Sequence, residues 1–202
     1  REAWTVAMLN RHFSAVLVHT DPRLVAFEET FERLAEVRIP VVATGFISPR
    51  PAPDARVRVR ARMGLADGQP LIVASAGGGS VGFPLLEASM RAFPLLPRHW
   101  AARMVVFTGP FMPTEQVARL AGLAGGPVAL QRFSTEFLSE LAAADASVSM
   151  GGYNTSMNLL AAQTPALVWP FAQNREQRLR AERLARLGAL QVLEDADLEP
   201  AR

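Results

Sequence analysis

From residue 70 to the end, the chain repeats one pattern: a short apolar run, a turn of glycine or small polar residues, then a helix-length amphipathic segment. The runs Leu71–Ser75, Met104–Thr108, Val128–Leu130, Ala146–Met150, Ala166–Trp169 and Leu190–Leu193 are read as strands. Most are apolar throughout rather than alternating, which marks strands buried on both faces. The segments Pro84–Leu96, Thr114–Leu123, Ser134–Ala143, Asn154–Gln163 and Asn174–Leu187 are read as helices. Gly188 follows the last of these at the position where a residue free to take positive φ ends a helix. Strands that alternate with helices pair in parallel through crossovers and are covered on both sides. The expected fold class is therefore α/β, a Rossmann-like doubly wound parallel sheet over residues 56–202. Such sheets bind ligands at the carboxyl ends of their strands.

Upstream, Ala15–His19 and Val41–Thr44 read as two more strands. Leu24–Val37 lies between them with Phe27, Phe31 and Leu34 on one helical stripe, so residues 1–45 read as a βαβ unit. Gly45–Ala55 then carries Pro49, Pro51 and Pro53, a spacing that forbids helix and favours an extended strut. The expected organisation is residues 1–45 as the tail end of one domain, 46–55 as a linker, and 56–202 as a second domain. The alternation Arg56, Arg58, Arg60, Arg62 suits a strand or a short helix, and reads as a solvated basic face. The chain opens on Arg1 rather than Met and reads as part of a longer protein.

Composition removes several classes of function. There is no cysteine, and His12, His19 and His99 do not match a metal-binding spacing, so no metal and no cofactor are expected. All 21 basic residues are Arg, which lifts the pI to about 10.2 at a net charge of only +2. That is not a nucleic-acid footprint, and no nucleic-acid partner is expected. No stretch reaches the length of uncharged apolar residues that a transmembrane helix needs.

Function is sought in the turns. The first reads Ser75-Ala-Gly-Gly-Gly-Ser-Val-Gly82. Gly77, Gly78 and Gly79 let backbone approach a ligand, and the following helix start offers free N–H groups to a phosphate. No Gly-Lys-Ser/Thr follows, so this is not a P-loop. No acidic residue closes the next strand, so a nicotinamide dinucleotide is poorly matched. The fourth turn, Ser149-Met-Gly-Gly-Tyr-Asn-Thr155, places Gly151 and Gly152 before another helix start. Asn154 suits an N-cap, and Asn158 lies one turn further on the same face. In the fifth, Asn174 and Gln177 fit a capping box, and Glu176 with Gln177 suits sugar hydroxyls. Phe133, leaving the third strand, suits either a nucleobase or the core.

In this order and spacing, Met150-Gly-Gly-Tyr-Asn-Thr155, Leu159-Leu-Ala-Ala-Gln-Thr-Pro165, Trp169-Pro170, Glu176-Gln177, Arg180-Ala-Glu-Arg-Leu184 and Leu187-Gly188 resemble the C-terminal half of the family 28 glycosyltransferases, the MurG-like enzymes. The resemblance covers about residues 70–190, and more loosely 15–50. It implies the GT-B fold, in which two Rossmann-like domains face a cleft. The C-terminal one binds a nucleotide-sugar donor, and the N-terminal one binds the acceptor. By that resemblance Gly77, Gly78, Gly79 and Ser80 lie near the diphosphate, Phe133 near the base, and Gly151, Gly152, Asn154 and Thr155 around phosphate. Glu176 and Gln177 then read the sugar, and Arg50 reaches the diphosphate. Two positions depart from the family pattern: Asn158 stands where relatives commonly carry a ribose-binding Glu, and Met150 where many have His.

The implied activity is metal-independent, inverting transfer of a hexosyl group from a nucleoside-diphosphate sugar, taken as a UDP-sugar, to a hydroxyl acceptor. No residue is assigned as the catalytic base, and His19 reads as structural. The resemblance implies a bacterial, cytoplasmic protein, inactive without the rest of its acceptor domain. Membrane contact, where present, falls to that domain. Trp4, Trp100 and Phe111 are candidates for an exposed face that pairs two copies. The competing readings are a GT-B-fold nucleotide-sugar 2-epimerase and a non-catalytic nucleotide-binding module.

Overall fold

The structure, a computed structural model, describes residues 2–199. The chain opens with α1 (Glu2–His12), followed by β1 (Val16–Val18) and β2 (Val41–Ala43), which pair in parallel as a small separate sheet. After α2 (Ala55–Arg62) comes the main body: β3 (Leu71–Ser75), α3 (Phe83–Ala92), β4 (Arg103–Phe107), α4 (Thr114–Ala121) and β5 (Val128–Gln131). It continues with α5 (Phe137–Ala143), β6 (Ala146–Met150), α6 (Tyr153–Ala162), β7 (Ala166–Trp169), α7 (Arg175–Arg186) and β8 (Gln191–Val192).

The second sheet has six parallel strands in the order β5-β4-β3-β6-β7-β8. The expected doubly wound parallel sheet is therefore present. The chain starts at the centre, winds outward through β4 and β5, returns to the other side of β3, and winds outward again. The reversal point lies between β3 and β6, and a ligand crevice in such a sheet opens there.

Alternate strand residues face opposite sides. Val73, Val105 and Val168 pack with Leu141 of α5, Leu159 of α6, and Ala181 and Leu184 of α7. Ala74, Met104 and Val106 pack on the other side with Leu86 and Met90 of α3 and Leu120 of α4. Each fully buried Val or Leu in these layers contributes roughly 1.5–3 kcal/mol. Beyond α3 the second face is an open apolar groove of about 870 Å³, lined among others by Ile72, Val148, Leu167 and Leu190. None of the glycine-turn residues 77–82 or 151–155 lines it.

Two expectations are corrected here. Leu24–Val37 is not an α-helix: it forms two 3₁₀ turns, Phe27–Glu29 and Leu34–Glu36. The buried anchors are Leu24 and Val25, which join the core beside α7, while Phe27 and Phe31 stack on each other at 5.4 Å. A periodic stripe without a surface to pack against does not repay helix nucleation. The arginines of residues 56–62 are likewise not a free basic face. They form α2, and all four are ion-paired: Arg56 with Asp145 at 2.6 Å, Arg60 with Asp145 at 3.1 Å, Arg58 with Glu136, and Arg62 with Glu136 and Glu140. Val59, fully buried, faces the core between them. The helix is a charged brace across α5 and the start of β6.

Candidate functional site

Two glycine turns meet at the reversal point. The first leaves β3. Gly77 and Gly79 take φ of +62° and +95°, values at which a side chain is strained. Gly79 is also closely packed: a Cβ there would lie 2.4 Å from the Thr108 carbonyl oxygen. Inside the turn the Gly77 N–H donates to Ser75 Oγ at 3.2 Å and the Gly79 N–H to the Ala76 carbonyl at 3.2 Å. The N–H groups of Gly78 and Ser80 have no partner among the described residues, and both residues are exposed.

The loop after β4 is locked onto this turn. The Phe111 N–H donates to the Gly78 carbonyl at 2.9 Å, and a Cβ on Gly109 would lie 2.4 Å from the Gly77 carbonyl oxygen. Phe111 itself is 74% exposed. Phe133, which suited either a base or the core, is 67% exposed and lies outside the core. Its neighbour Arg132 donates to the Pro110 carbonyl at 3.0 Å, which ties the loops after β4 and β5 together. Trp4 and Trp100 are exposed as well.

The second glycine turn leaves β6. Gly151 is buried, and a Cβ there would press on Pro170 Cα at 3.1 Å. Gly152 meets nothing within 4 Å and opens to the crevice. Here a detail of the sequence reading is corrected. The helix N-cap is Gly152, not Asn154, because the Ser156 N–H already donates to the Gly152 carbonyl at 2.9 Å. Asn154 sits in the first turn with its side chain exposed. The N–H groups from Gly152 to Thr155 have no partner among the described residues. Asn158 is half-buried one turn further along. Met150 is buried against Gly82, filling the seam between the two turns.

At the fifth turn, Asn174 caps α7, its Oδ1 accepting from the Gln177 N–H at 3.1 Å. The box is not reciprocal: Gln177 Oε1 accepts from the Phe171 N–H at 3.3 Å rather than from Asn174. Glu176 is half-exposed and pairs with Arg180. Arg50 is exposed in the strut, with no hydrogen bond or ion pair among the described residues.

Arg180 was not apparent from the sequence, where an arginine in an Arg-rich helix reads as solvated. It is 1% exposed. Nη2 donates to the Gly151 carbonyl at 2.9 Å, Nη1 to Glu176, and the guanidinium lies 5.5 Å from the Tyr153 ring centre. Burial pulls its pKa down to about 10, with Tyr153 opposing. The signs in the sequence were its place in the Arg180-Ala-Glu-Arg-Leu184 motif, which assigned it no role, and helical register, since Arg180 lies four residues from Leu184 on the buried stripe.

The small sheet reaches this site through Tyr153. Its ring lies 6.5 Å from that of His19 and 6.4 Å from that of Phe46, and its hydroxyl accepts from the Ile47 N–H at 3.2 Å. His19 Nδ1 is 2.8 Å from Thr44 Oγ1. Arg183 of α7 donates to the Leu24 carbonyl and pairs with Glu29.

This arrangement has relatives. The family model for the glycosyltransferase family 28 C-terminal domain matches residues 74–202. A UDP-N-acetylglucosamine–N-acetylmuramyl-(pentapeptide) pyrophosphoryl-undecaprenol N-acetylglucosamine transferase of Opitutus terrae is 32% identical over 148 residues, covering 71% of this chain and 38% of the relative. The enzyme of that name from Brucella canis is 30% identical over 129 residues, covering 62% and 34%. The chain thus spans little over a third of the length of these curated relatives. Among solved structures, the glycotransferase of kitacinnamycin superposes with a TM-score of 0.63 at 19% identity, covering all of this chain and 49% of that one. MurG of Acinetobacter baumannii superposes at 0.60 with 21% identity, covering 98% and 51%. At such identities the likeness establishes the fold, that of GT-B glycosyltransferases. With more than half of its length matched by the family model, the chain belongs to glycosyltransferase family 28, in the C-terminal domain of that family.

Proposed function

We propose that this chain is the donor-binding part of a glycosyltransferase that moves a hexosyl group from a nucleoside-diphosphate sugar, a UDP-sugar, to a hydroxyl acceptor. In this reading residues 56–202 form the donor domain, residues 1–45 belong to the acceptor domain, and 46–55 link the two. The observation that carries it is the convergence of the two glycine turns at the reversal point. A Cβ on Gly77 would lie 3.7 Å from Thr155 Oγ1, so the two turns lie side by side, each with N–H groups that have no partner among the described residues. Helix starts concentrate partial positive charge, which suits a diphosphate. The curated relatives are named as UDP-N-acetylglucosamine transferases, which supports UDP as the carrier.

The mechanism follows from charge. As the glycosidic bond to the donor breaks, the nucleoside diphosphate leaves with growing negative charge. Preorganised N–H groups stabilise that charge without a metal ion. The acceptor hydroxyl attacks from the opposite face of the sugar, which inverts the anomeric centre, and gives its proton to a base. Glu176 and the amide of Gln177, at the mouth of the fifth turn, read the sugar hydroxyls. Exposed Phe133 offers a flat surface to the base. In this reading the reaction runs on the cytoplasmic side.

Calorimetry with UDP, GDP and dTDP tests this, with AMP and NAD as controls. Saturable binding of one diphosphate, lost on substitution of Thr155 or Gly78, is the expected result. A folded chain that binds none of the three refutes the donor site.

A further inference from the structure

Arg180 is the least expected residue in the molecule. Around it on α7, Arg178, Arg183 and Arg186 keep contact with solvent, whereas Arg180 is 1% exposed. A buried guanidinium is costly unless its charge and its donors are matched. Here the match is partial. Its one carboxylate partner, Glu176, is half-exposed, and its Nε–H has no partner among the described residues. A fold that needed only volume at this position would be better served by an apolar side chain.

What the guanidinium touches explains its presence. It holds the Gly151 carbonyl at 2.9 Å. A peptide unit is planar and trans, so its C=O and the next N–H point in opposite directions. Fixing the Gly151 carbonyl toward the interior therefore turns the Gly152 N–H outward. Gly152 is where the backbone is open, with nothing within 4 Å of a would-be Cβ, and its N–H has no partner among the described residues. The same guanidinium holds Glu176, which stands beside that turn.

We propose that Arg180 is a positioning residue for the donor site. It locks the Gly151–Gly152 peptide so that the Gly152 N–H faces the leaving diphosphate, and it sets Glu176 at the same time. This inference rests on the donor-site reading above and goes beyond it by assigning a residue that touches no ligand. The buried charge also polarises the peptide, so the outward N–H becomes a stronger donor. An anion bound at the turn adds a second negative charge near the buried guanidinium, whose carboxylate partner Glu176 is half-exposed and screened by solvent. Burial holds the Arg180 pKa near 10, and a bound diphosphate raises it.

The test compares the 202-residue chain with Arg180→Met and Arg180→Lys. Each is titrated by calorimetry with whichever of UDP, GDP and dTDP the wild type binds, and by NMR with the matching nucleoside. Arg180→Met is expected to weaken the diphosphate about tenfold or more, to leave the nucleoside within twofold, and to move the Gly152 amide resonance. Arg180→Lys, which keeps a charge and one donor for the Gly151 carbonyl, is expected to restore most of the loss. A diphosphate affinity within twofold of wild type in Arg180→Met, or an equal loss for diphosphate and nucleoside, overturns the assignment. A wild type that binds none of the three diphosphates removes the donor-site reading itself, so the two failures are told apart.

Discussion

Thr155 Oγ1 lies 3.7 Å from where a side chain on Gly77 would begin, although the two residues are carried by turns from different strands. The hydroxyl sits in the first turn of α6 and has no partner among the described residues. It faces the first glycine turn, close enough for one phosphate group to meet both the hydroxyl and the backbone N–H groups of that turn. Thr155→Val keeps the shape and removes the donor. It is expected to raise the Kd for the bound diphosphate roughly tenfold or more, since a hydrogen bond to a charged group contributes about 1.5–3 kcal/mol. Thermal unfolding of the variant should stay close to wild type. Equal diphosphate affinities by calorimetry would place the ligand elsewhere.

Gly109→Ala tests the lock between the loops after β3 and β4. Gly109 has φ of +81°, and the added methyl would meet the Gly77 carbonyl at 2.4 Å. Backbone strain of this kind costs on the order of 1–3 kcal/mol, and the clash adds to it. Stability is expected to fall and diphosphate binding to fall with it. Gly125→Ala is the control, since it shares positive φ but meets nothing within 4 Å. Its effect should be confined to stability.

The brace of α2 predicts two pH dependences of opposite sign on neighbouring carboxylates. Burial pushes Glu140 above its ordinary value, with Ser134 and Arg62 pulling the other way. A carboxyl raised in the fold contributes stability at acid pH that is lost as pH rises through its folded value. Hydrogen bonds from Arg58 and Arg62 hold Glu136 below its ordinary value. Its contribution is present at neutral pH and lost as pH falls below the usual carboxylate range. Relative to wild type, Glu140→Gln should therefore gain stability between pH 4 and 7. Glu136→Gln should lose it over the same interval. Urea unfolding at both pH values reads the two directions, and matching signs would sink the argument.

Diphosphate binding is expected to be indifferent to EDTA and to added magnesium, because the charge is met by N–H groups. A titration that requires magnesium would contradict the metal-independent mechanism.

Much of the fold was legible because strands buried on both faces announce themselves. Ala146–Met150 and Ala166–Trp169 are apolar or small throughout, bounded by turn residues, and their ends coincide with β6 and β7. Helix starts were legible where a side chain caps, as at Asn174, and displaced where backbone geometry decides, as at Gly152. Leu24–Val37 failed because periodicity reports a face without reporting whether anything covers it. The arginines of α2 stayed ambiguous because their acidic partners, Glu136, Glu140 and Asp145, lie some 75–90 residues away. Arg180 was hidden for a related reason: charge in a sequence is taken as surface, and only the packing of α7 against the β6 turn shows otherwise.

The interlock of Gly109 with Gly77 and of Gly82 with Met150 joins residues 32 and 68 positions apart. The juxtaposition of the turns therefore has no local existence, and a peptide carrying either glycine run alone would not reproduce it. It comes into being only when β3, β4 and β6 lie side by side. Ligand affinity at this spot is in effect a gauge of how much of the sheet is assembled. By mass action, a saturating diphosphate should protect distant core strands from unfolding as firmly as the loops it touches.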